Sequence, residues 1–106
     1  PMQVRKKGIA ARRLPSANAE ICAAGEKSQL ELQKVFGANL RAARMEAGLN
    51  QPEVAQMTGL AQQYLSLIEG GEQNLTMRTM AILAKVVDCD LVELLKHSVE
   101  ASRSPE

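Results

Sequence analysis

The residue types and spacing best suited to ligand chemistry lie in one stretch, residues 48–71, which reads GLNQPEVAQMTGLAQQYLSLIEGG. Gln51 opens a predicted short helix, Gly59 supplies the positive φ of a tight turn, and Gln62 opens a second helix. The small Ala55 allows the two helices to cross closely. Two short helices joined by a glycine-containing turn form a helix-turn-helix unit, whose second helix lies in the DNA major groove. The pattern therefore predicts DNA binding.

Histidine and cysteine offer little further chemistry in this chain. His97 is the single histidine, and Cys22 and Cys89 are the two cysteines. They form no CxxC pair, no metal-ligand spacing and no Ser/His/Asp or Cys/His set. We therefore expect no enzyme activity, no catalytic residue, no metal site and no cofactor. Two widely separated cysteines also favour a reduced, cytoplasmic location, and Cys89 is expected to fill the core.

Composition and charge favour a small helical domain with a basic leader. Hydrophobic residues make up 45% of the 106 residues but aromatic residues only 2%, which indicates an aliphatic core. No apolar run reaches the ~18 residues of a membrane span, so we expect no membrane partner. Residues 1–35 carry seven basic and three acidic side chains, whereas residues 36–97 carry five basic and seven acidic ones. The basic charge is therefore concentrated in the leader.

Helix signals divide the chain into three predicted parts. Residues 1–33 form a basic N-terminal arm, or leader, with a short helix over residues 17–24 that stops at Gly25. Ser28 and Glu31 form a capping-box pattern, from which a helix runs to Ala47 and into the domain over residues 34–97. Residues 98–106 are polar and are predicted to form a flexible tail.

The domain is predicted to be all-α with five helices. Asn50, Thr76 and Asp90 are predicted to cap its second, fourth and fifth helices, and the third spans residues 62–69. Apolar positions at helical spacing supply the predicted inner faces: Phe36, Leu40, Ala43, Ala47, Val54, Leu65, Ile68, Met80, Leu83, Ala84, Val87, Leu91, Leu94 and Leu95. A dimer interface is predicted around the three leucines of the fifth helix or their neighbours, with the leader as a possible part of it; the alternative is that all three leucines belong to the core.

These residues resemble the Cro/repressor, or XRE-type, helix-turn-helix family. The likeness covers residues 34–96 and includes charged and turn positions as well as apolar ones. The matching residues are Phe36-Gly37, Leu40-Arg41, Arg44, Gly48-Leu49-Asn50-Gln51, Glu53-Val54-Ala55, Thr58-Gly59-Leu60, Ser66, Ile68-Glu69, Gly71, Asn74, Thr79, Leu83-Ala84-Lys85, Leu91 and Glu93-Leu94-Leu95. The resemblance implies a five-helix Cro/repressor-like domain with an N-terminal extension.

The same resemblance implies which residues contact DNA. Gln51 matches a glutamine that contacts a phosphate, and a helix N-terminus favours an anion there. Residues that open the third helix touch base edges, where a glutamine can form a bidentate pair with adenine. The implied DNA-binding set is Gln51, Gln62, Gln63, Tyr64, Ser66, Asn74, Arg41 and Arg78, the two arginines being phosphate contacts. A solvated, glutamine-rich surface is the alternative.

Arg44 and Glu69 match a family pair with a structural role. The resemblance implies a salt bridge that fixes the third helix against the first, the alternative being an Arg44–phosphate contact. Three departures from the family pattern weaken DNA contact. The third helix has no Lys or Arg, Ala61 replaces a capping Ser or Thr, and Leu67 stands where a polar or basic residue is usual.

Two functions are compatible with the sequence. The first is a sequence-specific transcriptional regulator, expected to be a repressor that binds double-stranded DNA as a homodimer on a pseudo-palindromic operator. The second is an antitoxin, which binds a toxin and uses DNA binding to regulate its own operon. The leader keeps the second alternative open, because a segment of this kind can fold on a protein partner.

Overall fold

The computed structural model describes residues 14–97, with side chains from residue 18 onward, as five α-helices. They are α1 (Leu14–Glu46), α2 (Gln51–Thr58), α3 (Gln62–Glu69), α4 (Met77–Val86) and α5 (Leu91–Leu94). Residues 14–97 include no strand, which confirms the all-α prediction. None of these five helices combines the length and apolar composition of a membrane span.

Helix α1 is longer than the sequence predicts. It begins at Leu14, with Pro15 in the first turn, where a missing N–H is tolerated, and continues through Gly25 to Glu46. The predicted stop at Gly25 and restart at Ser28 are wrong, since a glycine inside a helix costs only about 1 kcal/mol relative to alanine. Within a continuous helix the N–H groups after Ser28 already have partners one turn back. The predictions for residues 1–13 and 98–106 lie outside the described residues.

The predicted caps form at α2 and α4. Asn50 Oδ1 accepts a hydrogen bond from the Glu53 backbone N–H at 2.8 Å, and the Asn50 N–H donates to Glu53 Oε1 at 2.8 Å. Thr76 Oγ1 accepts from the Thr79 N–H at 3.1 Å. Each bond satisfies an N–H that the first turn of a helix leaves without a partner, so these two helix starts are fixed by local sequence.

Helix α5 departs from the prediction in two ways. Asp90 makes no side-chain cap bond, and the Glu93 carboxylate accepts from Lys96 Nζ at 3.1 Å instead, so the reciprocal half of a capping box does not form. Its predicted interface leucines face the core. Leu94 is buried, and Leu91 and Leu95 are half-buried against the core. Leu94 is therefore excluded from a dimer interface, whereas an interface at Leu91, Leu95 or their neighbours stays a prediction.

One aliphatic core holds the described helices together. Its buried members are Phe36, Leu40, Val54, Leu65, Ile68, Leu83, Ala84, Val87 and Leu94. Each of them was predicted, and Ala43, Met80 and Cys89 pack against them, half-buried. Ala47 is the exception, because it follows the last residue of α1 and is exposed.

Candidate nucleic-acid interface

The turn between α2 and α3 has the predicted form. Gly59 has φ +80°, a conformation that residues with a side chain rarely adopt. The Thr58 hydroxyl donates to the Val54 carbonyl at 2.8 Å and accepts from the Leu60 N–H at 3.2 Å. Backbone and side chain together therefore fix the angle at which α3 leaves α2.

Helix α3 is seated directly on α1. Leu65 and Ile68 are buried at 1% and 2% exposure, and Gly37 of α1 is also buried. A Cβ at Gly37 would collide with the Ile68 carbonyl oxygen and would lie 2.8 Å from the Glu69 carbonyl oxygen. Glycine at this position therefore allows the α3 backbone to approach α1, a packing role that the sequence alone does not reveal.

The outer face of α3 consists of four exposed side chains. They are Gln62, Gln63, Ser66 and Leu67. The last three lie opposite Leu65 and Ile68 on the helix, and Gln62 lies at the edge of this face. We call these four residues the α3 outer face. Ala61 makes no side-chain cap bond to this helix, as its residue type predicts. The face therefore presents two amides, a hydroxyl and an aliphatic side chain next to an uncapped helix start.

The remaining predicted DNA contacts differ in exposure. Arg41 on α1, Asn74 before α4 and Arg78 in the first turn of α4 are exposed. Tyr64 is half-buried and packs against the core, so only part of its ring is available to a ligand. The contacts of all four with DNA remain predictions.

Arg44, Glu69 and Gln51 form one polar cluster between α1, α3 and α2. Arg44 Nε and Nη2 donate to the two Glu69 carboxylate oxygens at 2.6 and 3.0 Å. The Arg44 and Glu69 side chains are only 11% and 5% exposed. The hydrogen bond to Glu69 raises the pKa of Arg44, with a further rise from the charge of Glu69 and an opposing effect of burial. Two nearly buried charges are thus paired in bidentate geometry.

The cluster contains two further hydrogen bonds that the sequence does not predict. Gln51 Nε2 donates to Glu69 Oε1 at 3.0 Å, and Arg44 Nη1 donates to the Leu49 carbonyl at 2.8 Å. The predicted phosphate contact is therefore held by the same carboxylate that pairs with Arg44. Spacing along the chain gives no signal for this bond, because Gln51 and Glu69 belong to different helices.

Comparisons with known proteins agree with this geometry. A helix-turn-helix family model matches residues 40–94, more than half of the chain. The chain belongs to the helix-turn-helix family. The family assignment confirms the XRE-type resemblance seen in the sequence, and the matched residues run from within α1 to the end of α5.

Individual relatives align over most of their own length. The chain is 39% identical over 71 residues to an uncharacterized HTH-type transcriptional regulator, y4dJ, from Sinorhizobium fredii, covering 67% of this chain and 92% of the relative. It is 30% identical over 66 residues to the control protein C.SmaI from Serratia marcescens, covering 62% of this chain and 79% of that protein.

A solved structure shares the fold. The crystal structure of a hypothetical transcription factor, NHTF, from Neisseria superposes with a TM-score of 0.62 at 26% identity. The superposition covers 69% of this chain and 84% of the Neisseria chain. The helix-turn-helix match begins at residue 40, so residues 14–39 of α1 lie before it.

Proposed function

We propose that this helix-turn-helix protein is a transcriptional repressor that binds a pseudo-palindromic operator as a dimer, with α3 in the major groove. The α3 outer face carries the proposal, since its four side chains are exposed while Leu65 and Ile68 of the same helix are buried. A helix packed in this way can present side chains to base edges while Leu65 and Ile68 stay buried in the core. A dimer that occupies a site near a promoter excludes polymerase sterically, which favours repression.

The chemistry of the outer face favours adenine and thymine. Gln62 and Gln63 each carry an amide that can pair with the N6 and N7 atoms of adenine, and the exposed Leu67 can contact a thymine methyl group. Guanine is usually read by arginine or lysine, and α3 contains neither. We therefore expect half-sites rich in A·T pairs.

Phosphate contacts are proposed for Gln51, Arg41 and Arg78. Residues 36–97 carry seven acidic side chains and five basic ones, and Arg44 is engaged by Glu69. Few basic groups therefore remain on the domain to displace counterions from the DNA, so its sequence-independent affinity should be weak.

Backbone chemical shifts test the proposed docking. Titrating ¹⁵N-labelled protein with an A·T-rich duplex should change the amide chemical shifts of residues 51–69 most, because that segment is proposed to contact the DNA. The signals of α5 should move little, and they serve as the internal control. Shifts concentrated in α5, with residues 51–69 unchanged, would show that another surface binds the DNA.

The leader is proposed to supply the electrostatic affinity that the domain lacks. Residues 2–13 contain Arg5, Lys6, Lys7, Arg12 and Arg13 and precede the first residue of α1. Deleting them should weaken DNA binding and flatten the dependence of log affinity on log salt by about 0.9 for each lost phosphate contact. The matched control deletes the tail, residues 98–106, which carries a net charge of −1. An unchanged salt slope in the leader deletion would leave solubility or docking of a protein partner as its role.

A further inference from the structure

Few of the described residues pack against the N-terminal half of α1. Among residues 18–33, which we call the α1 extension, only Gln29 and Gln33 are half-buried and the rest are exposed. Ile21, Leu30 and Leu32 are 53%, 54% and 47% exposed. A helix of this length is marginal in water without packing on one face. Its exposed apolar side chains therefore indicate that the extension packs against a partner.

An apolar groove lies along one side of the extension. Its volume is about 410 Å³, and its walls include Leu32 and Phe36 of α1 with Leu75, Met77 and Met80 on the opposite side. We call it the α1 groove. Met77 is 73% exposed at its edge. An engineered core cavity of about 150 Å³ already binds a benzene molecule, so this groove has room for more than one apolar side chain.

Gly25 has no evident packing role among the residues that the structure describes. Gly37 is required by the Ile68 carbonyl, and Gly48, Gly59 and Gly71 have positive φ. Gly25 has neither feature, and a Cβ placed there would have no neighbour within 4 Å. Glycine nevertheless weakens a helix relative to alanine. Because Gly25 lines the α1 groove, its missing side chain leaves space for a close neighbour.

We propose that a second copy of this chain covers the α1 groove, with the two extensions packed antiparallel about a two-fold axis. One face of the extension has a symmetric order of residue sizes, with Ile21 and Leu32 outside and Gly25 and Ser28 inside. Each pair is equally distant from the midpoint between residues 26 and 27. Antiparallel helices centred there therefore place Ile21 of each copy level with Leu32 of the other, and Gly25 level with Ser28. A two-fold axis makes both contacts twice.

The available area fits a second copy as the occupant. The extension carries Glu20, Glu26, Glu31 and Lys27, a net charge of −2, so the contact depends on its apolar side chains. Sixteen helical residues span about 24 Å, and half the surface of a helix about 10 Å wide amounts to roughly 400 Å². The wall from Leu75 to Met80 adds to this area, toward the ~800 Å² per partner of a stable interface.

The proposed interface depends on the dimer of the proposed function, and it determines how the two α3 helices of that dimer are arranged. α1 also holds α3, through the close contact of Gly37 with the Ile68 carbonyl and through Arg44 and Glu69. A dimer joined through α1 therefore fixes the separation of two α3 helices, which is the quantity that sets half-site spacing.

Sedimentation equilibrium of the full chain without DNA tests the surface. Ile21→Asp should raise the dimer dissociation constant at least tenfold. Leu30→Asp should leave it unchanged, because Leu30 has nearly the same exposure but lies nine residues away on the opposite face of the helix. Likewise Gly25→Leu should weaken the dimer, whereas Ala23→Leu, outside the groove, should not. Circular dichroism of each variant verifies that the helices remain folded.

Two results would overturn the proposed surface. Equal effects of Ile21→Asp and Leu30→Asp, or no effect of either on a dimeric protein, would place the dimer interface elsewhere while leaving DNA binding and the dimer intact. A wild-type chain that stays monomeric up to millimolar concentration would exclude this surface and remove the preformed dimer. Its affinity for DNA, measured separately, decides whether the rest of the proposed function survives.

Discussion

Replacing Glu69 by alanine should lower the free energy of unfolding by about 3 kcal/mol, the scale expected when one partner of a buried ion pair is removed. The Arg44 guanidinium is only 11% exposed and would lose both carboxylate oxygens, keeping its bond to the Leu49 carbonyl. Gln51 would lose its partner as well. Urea unfolding followed by circular dichroism measures the loss.

A double-mutant cycle isolates the interaction itself. Arg44→Met combined with Glu69→Ala should destabilise the protein by less than the sum of the two single changes, because the double variant leaves no unpaired charge. The exposed pair of Lys96 and Glu93 is the matched control, and Glu93→Ala should have little effect. Strict additivity in the Arg44–Glu69 cycle would mean that the two side chains do not stabilise each other.

Replacing Gln62 or Gln63 by alanine should lower affinity for the operator by about 1–3 kcal/mol, which is roughly 5- to 150-fold. The loss should be smaller on a site whose matching base pair has been changed, because a base contact discriminates between sequences. Both side chains are exposed and contribute nothing to the buried core, so thermal stability should hardly change. Fluorescence anisotropy with a panel of single-base operator variants measures both effects.

Two other glutamines separate base contacts from phosphate contacts. Gln51→Ala should weaken binding to all sequences by a similar factor, since a phosphate carries no sequence information. Gln56→Ala, an exposed change on α2 outside the predicted contact set, should leave binding unaltered. If Gln62→Ala and Gln63→Ala leave both affinity and preference unchanged in a folded protein, α3 does not lie in the major groove as proposed.

The sequence predicts a helix boundary correctly where a strong local signal marks it. Asn50 with Glu53 and Thr76 begin α2 and α4, and Gly59 forms the turn, because each satisfies a backbone group or φ angle within a few residues. The same logic fails at Gly25, where weak stop and start signals lie inside a helix that extends through both of them. Local propensity is small compared with the stability of an already formed helix.

The site is predictable where the family resemblance implies which residues are neighbours. Pairing of Arg44 with Glu69 follows from the family resemblance, and in the structure Arg44 Nε lies 2.6 Å from Glu69 Oε2. The bond from Gln51 to Glu69 and the contact of Gly37 with Ile68 depend on how three helices meet. The α1 groove lies beside a continuous helix that the sequence pattern predicts as two separate helices. The pattern therefore does not predict the groove.

Selection of bound duplexes from a random-sequence pool by the full chain, at one fixed salt concentration, tests sequence-specific DNA binding most directly. We expect enrichment of a single A·T-rich sequence with two symmetric halves about one helical turn apart. That sequence should bind at least about 10³-fold more tightly than a scrambled duplex. A pool that shows no enrichment, with equal affinity for selected and scrambled duplexes, would contradict sequence-specific recognition by α3.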